Sequence, residues 1–331
     1  MKLIVSVAAL IVIAAGVRAT AALLIPLVLA LFLAIITFPL VRALQRRMHR
    51  LFAVLITMLA VLVTLVGPGV LIVTAVRQFT RAVPGYEAQL RKIYMAVGAW
   101  LDERNLEAPF LSTFGDPSLI FGFVMSTLSG VVTLLSLVFL VVLVCAFMLA
   151  ETADIADRRR DVLPAKARQV IGQIAQRMQT WLWVKTIVSL LTGLAAGVWV
   201  ALMGIEFPLL WGLTAFLLNY IPNFGSLIAA LPPALLALVQ GGPLAAVIVL
   251  LGFVVINICL GSLLEPYLMG RQVGLSPLVV LVSVVVWGWL WGPAGMLLAV
   301  PITMTIKFGL ETSDELRWIA RLLSGGANGG S

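Results

Sequence analysis

FLLNYIPNFGSLIAALPPALLAL, residues 216–238, decides how this chain is read. Its hydropathy demands a bilayer, yet it carries Asn219, Pro222, Asn223, Gly225, Pro232 and Pro233. Lipid gives an unwound backbone no water to bond to. Helix-breakers at that depth survive only inside protein or beside a wet cavity. Secondary transporters build substrate sites from discontinuous helices of this kind. The stretch points to a transporter.

Composition points the same way. The 331 residues are 62% hydrophobic and 11% charged, with mean hydropathy +1.13, whereas soluble domains carry about 25% charged residues. Apolar runs lie at 3–17, 19–41, 51–76, 119–150, 181–203, 209–239, 243–264 and 278–309. All but the first reach the roughly 20 residues that cross a hydrocarbon core. The expected fold is all-α: a polytopic transmembrane helical protein of about eight hydrophobic segments, with interrupted helices in its C-terminal half. The first run, between Lys2 and Ala19-Thr20-Ala21, also has the outline of a signal peptide, but the span that follows at once suits a hairpin. Cys145 and Cys259 lie inside apolar runs and read as core thiols.

The net charge of +8 is read through topology, because no basic and aromatic pattern on a polar face suggests nucleic acid. Arg42, Arg46, Arg47 and Arg50 crowd one turn; Arg158, Arg159, Arg160, Lys166, Arg168 and Arg177 crowd 151–180. The excess of Lys and Arg marks cytoplasmic loops, so both segments and both termini are expected in the cytoplasm of a multi-pass inner (plasma) membrane protein. Residues 209–239 could cross once, broken, or return as a re-entrant hairpin, which would move 265–276 to the cytoplasmic side.

The regions expected are an N-terminal transmembrane region, 1–150, with an extracytoplasmic amphipathic insertion at 77–118; a cytoplasmic amphipathic helix, 151–180; a transmembrane core with interrupted helices, 181–309; and a Gly-rich tail, 310–331. In the insertion, Tyr86, Leu90, Ile93, Tyr94, Val97, Trp100 and Leu101 recur on one helical face. Ala167, Val170, Ile171, Ile174 and Met178 form a narrower stripe in the second helix.

An enzyme is not expected. His49 is the only histidine and sits in an arginine-rich turn, so no histidine-based metal site or triad can form; no metal and no cofactor is expected. Polar groups inside spans are costly enough to be functional candidates, and here they are Lys185, Asn219, Asn223, Asn257, Glu265 and Lys307. Lys185 and Lys307 can equally snorkel to an interface, and Asn257 can bond a neighbouring helix. Asn219 and Asn223 flank Pro222, where freed carbonyls and amides collect. Glu265 opens EPYLMGR, either as a cap paired with Arg271 or as a proton carrier. Replacing Pro222 and Gly225 with alanine is expected to let 209–239 run as continuous helix.

A second interrupted segment is WGWLWGPAGMLLAVPITM, 287–304, broken at Gly292, Pro293 and Gly295. Pro301 follows Gly295 much as Pro232 follows Gly225, and Pro277 and Pro208 precede the two segments. Paired interruptions of this kind point to a binding site between structural repeats.

NYIPNFGSLIAALPP (219–233), LEPYLMGRQVGLSP (264–277) and WGWLWGPAGMLLAVP (287–301), in that order and spacing, closely resemble the autoinducer-2 exporter family of bacterial permeases. The resemblance spans 1–310, with its specificity in 160–305. It carries over as Pro222, Gly225, Glu265, Pro266, Gly270, Gly274, Leu275, Pro277, Gly292, Gly295 and Pro301. It implies an inner-membrane exporter of about eight transmembrane segments that forms a homo-oligomer, for which a pentamer is proposed in the family. The partners expected are therefore the lipid bilayer, a small polar solute and further copies of the chain.

The reading is a permease exporting a small polar, autoinducer-2-like solute by alternating access, and so serving quorum sensing. Expected solute contacts are Asn219, Pro222, Asn223, Phe224, Gly225, Trp287, Trp289 and Gly292; expected coupling residues are Glu265, Arg271 and Lys185. The alternatives are a sodium/proton antiporter, whose acid would be Glu206 or Glu265, and a membrane scaffold binding partners through 77–118.

Overall fold

Backbone groups in lipid must be satisfied within their own segment, which favours helices, and all regular structure among the described residues is helical. The computed structural model describes residues 2–104, 117–158, 165–222, 224–269, 274–312 and 317–324. Its helices are α1 (Lys2–Ala19), α2 (Ala21–Gln45), α3 (Arg50–Asp102), α4 (Pro117–Ser136), α5 (Val138–Arg158), α6 (Ala165–Leu202), α7 (Pro208–Leu218) and α8 (Phe224–Ile256). A π-helix (Asn257–Leu264) then leads into α9 (Glu265–Met269), α10 (Pro277–Thr312) and α11 (Arg317–Leu323). Among the described residues six stretches are long and apolar enough to cross a membrane: 21–45, 50–101, 121–151, 169–202, 224–269 and 277–311. The chain is a multi-pass helical membrane protein, as its composition demanded.

Boundaries differ from the sequence expectation in two ways. The 51–76 span and the amphipathic 86–101 stretch form one helix, the 53-residue α3. At 1.5 Å per residue it is about 80 Å long, more than twice the roughly 30 Å hydrocarbon core. The 165–180 stripe likewise runs on into the 181–202 span as α6. No proline or glycine lies between 173 and 192 in α6, whereas α3 runs on as helix across Pro84 and Gly85.

The chain gathers into two compact units that interleave along the sequence. Residues 1–66, 136–186 and 266–331 form the first; 67–135 and 187–265 form the second.

In the first unit, Ala30 and Ala34 lie one turn apart on α2, and small residues at that spacing let helices approach closely. Val141, Val142, Cys145 and Leu149 of α5 pack there with Ala53, Val54 and Met58 of α3. A second cluster joins Trp181, Met269, Val300, Met304 and Phe308.

Helix α10 is not a straight rod. Gly292 breaks it at φ 61, ψ −143, and Trp287 Nε1 donates to Thr303 Oγ1 at 3.3 Å. Sixteen residues of straight helix would separate those residues by about 24 Å. Residues 277–291 and 293–312 are therefore two arms of a hairpin. Its mouth is closed by Lys307 Nζ, which donates to the carbonyl of Gly274. A Cβ on Gly295 would sit 1.9 Å from the carbonyl oxygen of Trp287, so the arms meet there only because the residue is glycine.

The second unit holds the other hairpin. Pro208 opens α7 at its first turn, where a missing N–H costs nothing. Helices α7 and α8 pack against each other, with Gly225 against Leu218: a Cβ on Gly225 would lie 1.7 Å from the Leu218 carbonyl oxygen. At the mouth, the N–H of Glu206 donates to Gln240 Oε1 at 3.3 Å. Residues 208–241 thus return to where they start, and of the two alternatives left open by the sequence the structure takes the hairpin. Gly193 and Gly197 of α6 face Gly212 of α7, a small-residue contact that brings the hairpin close to α6. Phe79 stacks on Tyr86 and meets Trp211 edge-on at 5.2 Å.

Much of the apolar exterior is uncovered by the chain itself. Leu51, Phe52, Leu55 and Leu59 of α3 and Leu244, Val247, Leu251 and Val255 of α8 are all exposed, as lipid-facing side chains are.

Candidate functional site

Each hairpin has a polar tip where the helix is interrupted. In the second unit, Asn219 ends α7, with its N–H still bonded to Ala215 O at 3.0 Å. Its side chain is buried, and Nδ2 donates to Ser189 Oγ at 3.0 Å. That bond ties the hairpin tip to α6. Pro222 sits in the turn, half-buried, and its carbonyl accepts from the N–H of Phe224 at 2.7 Å. Phe224 is 37% exposed and Gly225 is buried, so the turn offers one face outward and one to α7. Asn223 lies outside the described residues.

Two buried polar side chains of the second unit were missed by sequence reasoning. Ser189 is fully buried and is the partner of Asn219. Thr214 is fully buried, and its hydroxyl has no hydrogen-bond partner among the described residues. Hydroxyls in spans ordinarily bond their own helix, as Thr192 does to Val188 O at 2.8 Å. Nothing in the sequence separates Thr214 from Thr192; only the geometry does.

The tip of the α10 hairpin, in the first unit, is aromatic. Trp287 and Trp291 lie 5.2 Å apart. The Trp287 N–H is taken by Thr303, and Trp291 Nε1 donates to Val17 O at 3.2 Å. Trp289 is 58% exposed, with the Arg18 guanidinium 5.0 Å from its ring centre, within cation–π reach. Gly292 forms the turn itself. The expected solute contacts therefore fall into two groups, one per unit: Asn219, Pro222, Phe224 and Gly225, and Trp287, Trp289 and Gly292.

The expected coupling residues lie on different elements. Lys185 is buried on α6 one turn before Ser189, and it is engaged rather than free. Glu265 is half-buried at the end of the π-helix, its N–H bonded to Leu260 O. Asn257 opens that π-helix, with its Oδ1 lying 2.9 Å from where a Cβ on Gly261 would be. π-Helical turns are rare and recur at functional sites; this one is bracketed by two of the polar span residues singled out by sequence. Arg271 lies outside the described residues. Glu206 sits in the α6–α7 turn, where the Tyr86 hydroxyl donates to its Oε2 at 2.5 Å. Lys307 is buried, 3.4 Å from Glu311.

Chemically, the tip at 219–225 offers an amide, the Ser189 hydroxyl bound to it and a turn of non-helical backbone. The tip at 287–295 offers indole faces. Both suit an uncharged polar solute, hydrogen-bonded in the first case and stacked in the second.

This chain is similar along nearly its whole length to known transport proteins. The family profile of AI-2E family transporters matches residues 7–314. The AI-2 transport protein TqsA of Escherichia coli is 35% identical over 98% of this chain and 96% of its own length. A Haemophilus influenzae protein, provisionally named a transport protein, is 38% identical over 97% of this chain and 96% of its own. YhhT of Escherichia coli, provisionally named likewise, is 32% identical over 98% and 95%. By this match along nearly its whole length, the chain belongs to the AI-2E transporter family.

Proposed function

We propose that this protein exports a small polar solute of the autoinducer-2 kind across the bacterial inner membrane by alternating access, and is not an enzyme. The observation that carries the reading is the interrupted tip of the 208–241 hairpin, where the buried Asn219 amide is bound to Ser189 and the chain turns at Pro222 before α8 begins. Half-helices ending at polar turns are how carriers present backbone groups to a solute. Asn219, Pro222, Asn223, Phe224 and Gly225 are the proposed contacts there. Trp287, Trp289 and Gly292 are proposed contacts by stacking. Glu265, with Arg271 and Lys185, is the proposed coupling set.

The name of the Escherichia coli relative supports autoinducer-2 as the solute, and with it a part in quorum sensing. In the proposed topology α1, α2, α3, α4 with α5, α6 and 243–264 cross, while 208–241 and 277–312 return. The crossings are even in number, so both termini share the cytoplasmic side with the arginine-rich 42–50 and 151–180 segments. The insertion at 77–118 is then extracytoplasmic and 265–276 cytoplasmic. A homo-oligomer, a pentamer by the family resemblance, would cover part of the exposed apolar exterior.

Uptake into proteoliposomes under defined ion gradients tests the reading. Autoinducer-2 flux that saturates and needs no sodium gradient is expected. Sodium–proton exchange without autoinducer-2 flux would replace this reading with an antiporter.

A further inference from the structure

At the end of the α10 hairpin remote from its Gly292 turn, the first unit contains a cavity of about 240 Å³ lined by Val170, Gln173, Ile174, Arg177, Phe308, Glu311 and Arg317. The α6 residues share one face, at i, i+3, i+4 and i+7. Arg177 and Phe308 form one wall, the guanidinium 4.6 Å from the ring centre. Arg317, at the start of α11, brings a second guanidinium. Among the described lining residues one carboxylate, Glu311, lies 3.4 Å from Lys307, alongside the two guanidinium groups. The cavity is smaller than the 300–1,000 Å³ typical of whole small-molecule ligands.

Its position narrows the occupant. Residues 170–177 are the polar turns of α6 just before the 181–202 span, and Phe308–Glu311 end the apolar part of α10. Beside the cavity, Trp318 and Leu322 are exposed on α11 at 62% and 69%, and Ile171 at 55%. Exposed Trp next to Arg is the pattern of the membrane–water interface. Basic pockets between transmembrane helices at that level hold lipid headgroups.

We propose that this cavity binds the phosphodiester headgroup of an anionic phospholipid from the leaflet it faces. Arg177 and Arg317 take the phosphate oxygens, Gln173 adds an amide donor, and the acyl chains run along Ile171 and Leu322. A soluble phosphate would meet the same two guanidinium groups but would leave the exposed apolar rim unused.

The full chain, purified in a neutral detergent, is titrated with phosphatidylglycerol, phosphatidylcholine or inorganic phosphate, and read by native mass spectrometry and thermal melting. Phosphatidylglycerol is expected to bind and raise the melting temperature, with phosphatidylcholine and phosphate doing neither. Arg177→Gln and Arg317→Gln should each weaken phosphatidylglycerol about fivefold, the worth of one basic residue at an anionic surface. Arg177→Lys should recover most of that loss. Equal binding of phosphatidylcholine, or unchanged affinity in both glutamine variants, overturns the proposal. Full competition by millimolar phosphate overturns it too, in favour of a soluble anion. Should Arg177→Gln fail to fold for want of its stack on Phe308, Arg317→Gln decides alone. None of these readouts depends on transport, so this proposal and the export reading stand or fall separately.

Discussion

The N–H of Glu206 donates to the side-chain oxygen of Gln240, 34 residues further along the chain, at 3.3 Å. Between them lie α7, the Asn219 tip and the first arm of α8, so the bond closes the mouth of a hairpin. Two residues at opposite faces of a roughly 30 Å core could not make it.

Accessibility checks this directly. Met203→Cys and Leu244→Cys flank the mouth, and Leu244 is 72% exposed. In a background with Cys145 and Cys259 replaced, both are expected to react with a membrane-impermeant thiol reagent from the same face. Labelling from opposite faces would mean that 208–241 crosses.

Gly225→Ala is expected to destabilise, not to stabilise. The sequence alone suggests that alanine would let the segment run on as helix, since glycine costs about 1 kcal/mol relative to alanine. The new Cβ, however, would lie 1.7 Å from the Leu218 carbonyl oxygen, and such overpacking costs about 1–3 kcal/mol. Gly295→Ala should behave alike against Trp287. A melting temperature at or above wild type in either variant would show that the hairpin arms are not in contact.

Asn219→Ala should cost stability as well as transport, because its amide is bound to the buried Ser189 hydroxyl. Hydrogen bonds between membrane helices average about 0.6 kcal/mol and reach about 1.7. A double-mutant cycle with Ser189→Ala, read by thermal unfolding in detergent, should show coupling of that size. Strict additivity would dissolve the link between tip and α6.

Lys307→Ala should loosen the mouth of the α10 hairpin, where the ammonium holds the Gly274 carbonyl. Hydrogen bonds to charged groups are worth about 1.5–3 kcal/mol. Hydrogen exchange around Leu275 and Ser276 should accelerate several-fold while α2 and α5 stay protected. Equal exchange in variant and wild type would remove Lys307 as the clasp.

Glu265→Gln is expected to keep solute exchange down a gradient but to lose accumulation driven by a pH gradient. A coupling group must change charge as its exposure alternates, and a carboxylate inside a span is a natural carrier of that change. Glutamine keeps the shape and a hydrogen-bonding amide but fixes the charge at zero. Wild-type pH-driven accumulation would clear Glu265 of that role.

Much of this protein was legible from residue order. Helix-breakers at 219–225 and 292–295 stand out against apolar flanks, and Pro208 and Pro277 announce the segments that lead to them. The polar candidates Asn219, Asn257 and Glu265 were visible because an amide or acid in a span is rare. Ser189 and Thr214 were not, since hydroxyls in spans are common and ordinarily bond their own helix.

Membrane class, helical content and the places where helices fail are properties of local composition and of the backbone's need for hydrogen bonds, and the sequence by itself determined them. Direction after a break is different. Hydropathy is the same whether a chain continues or turns back, so the choice rests on contacts between residues far apart in sequence. Gln240 reaching Glu206, Lys307 reaching Gly274 and Thr303 reaching Trp287 make that choice. Gly225 and Gly295 likewise read as flexible breaks in the sequence, and only the fold reveals them as contact points where a backbone carbonyl occupies the space of a Cβ.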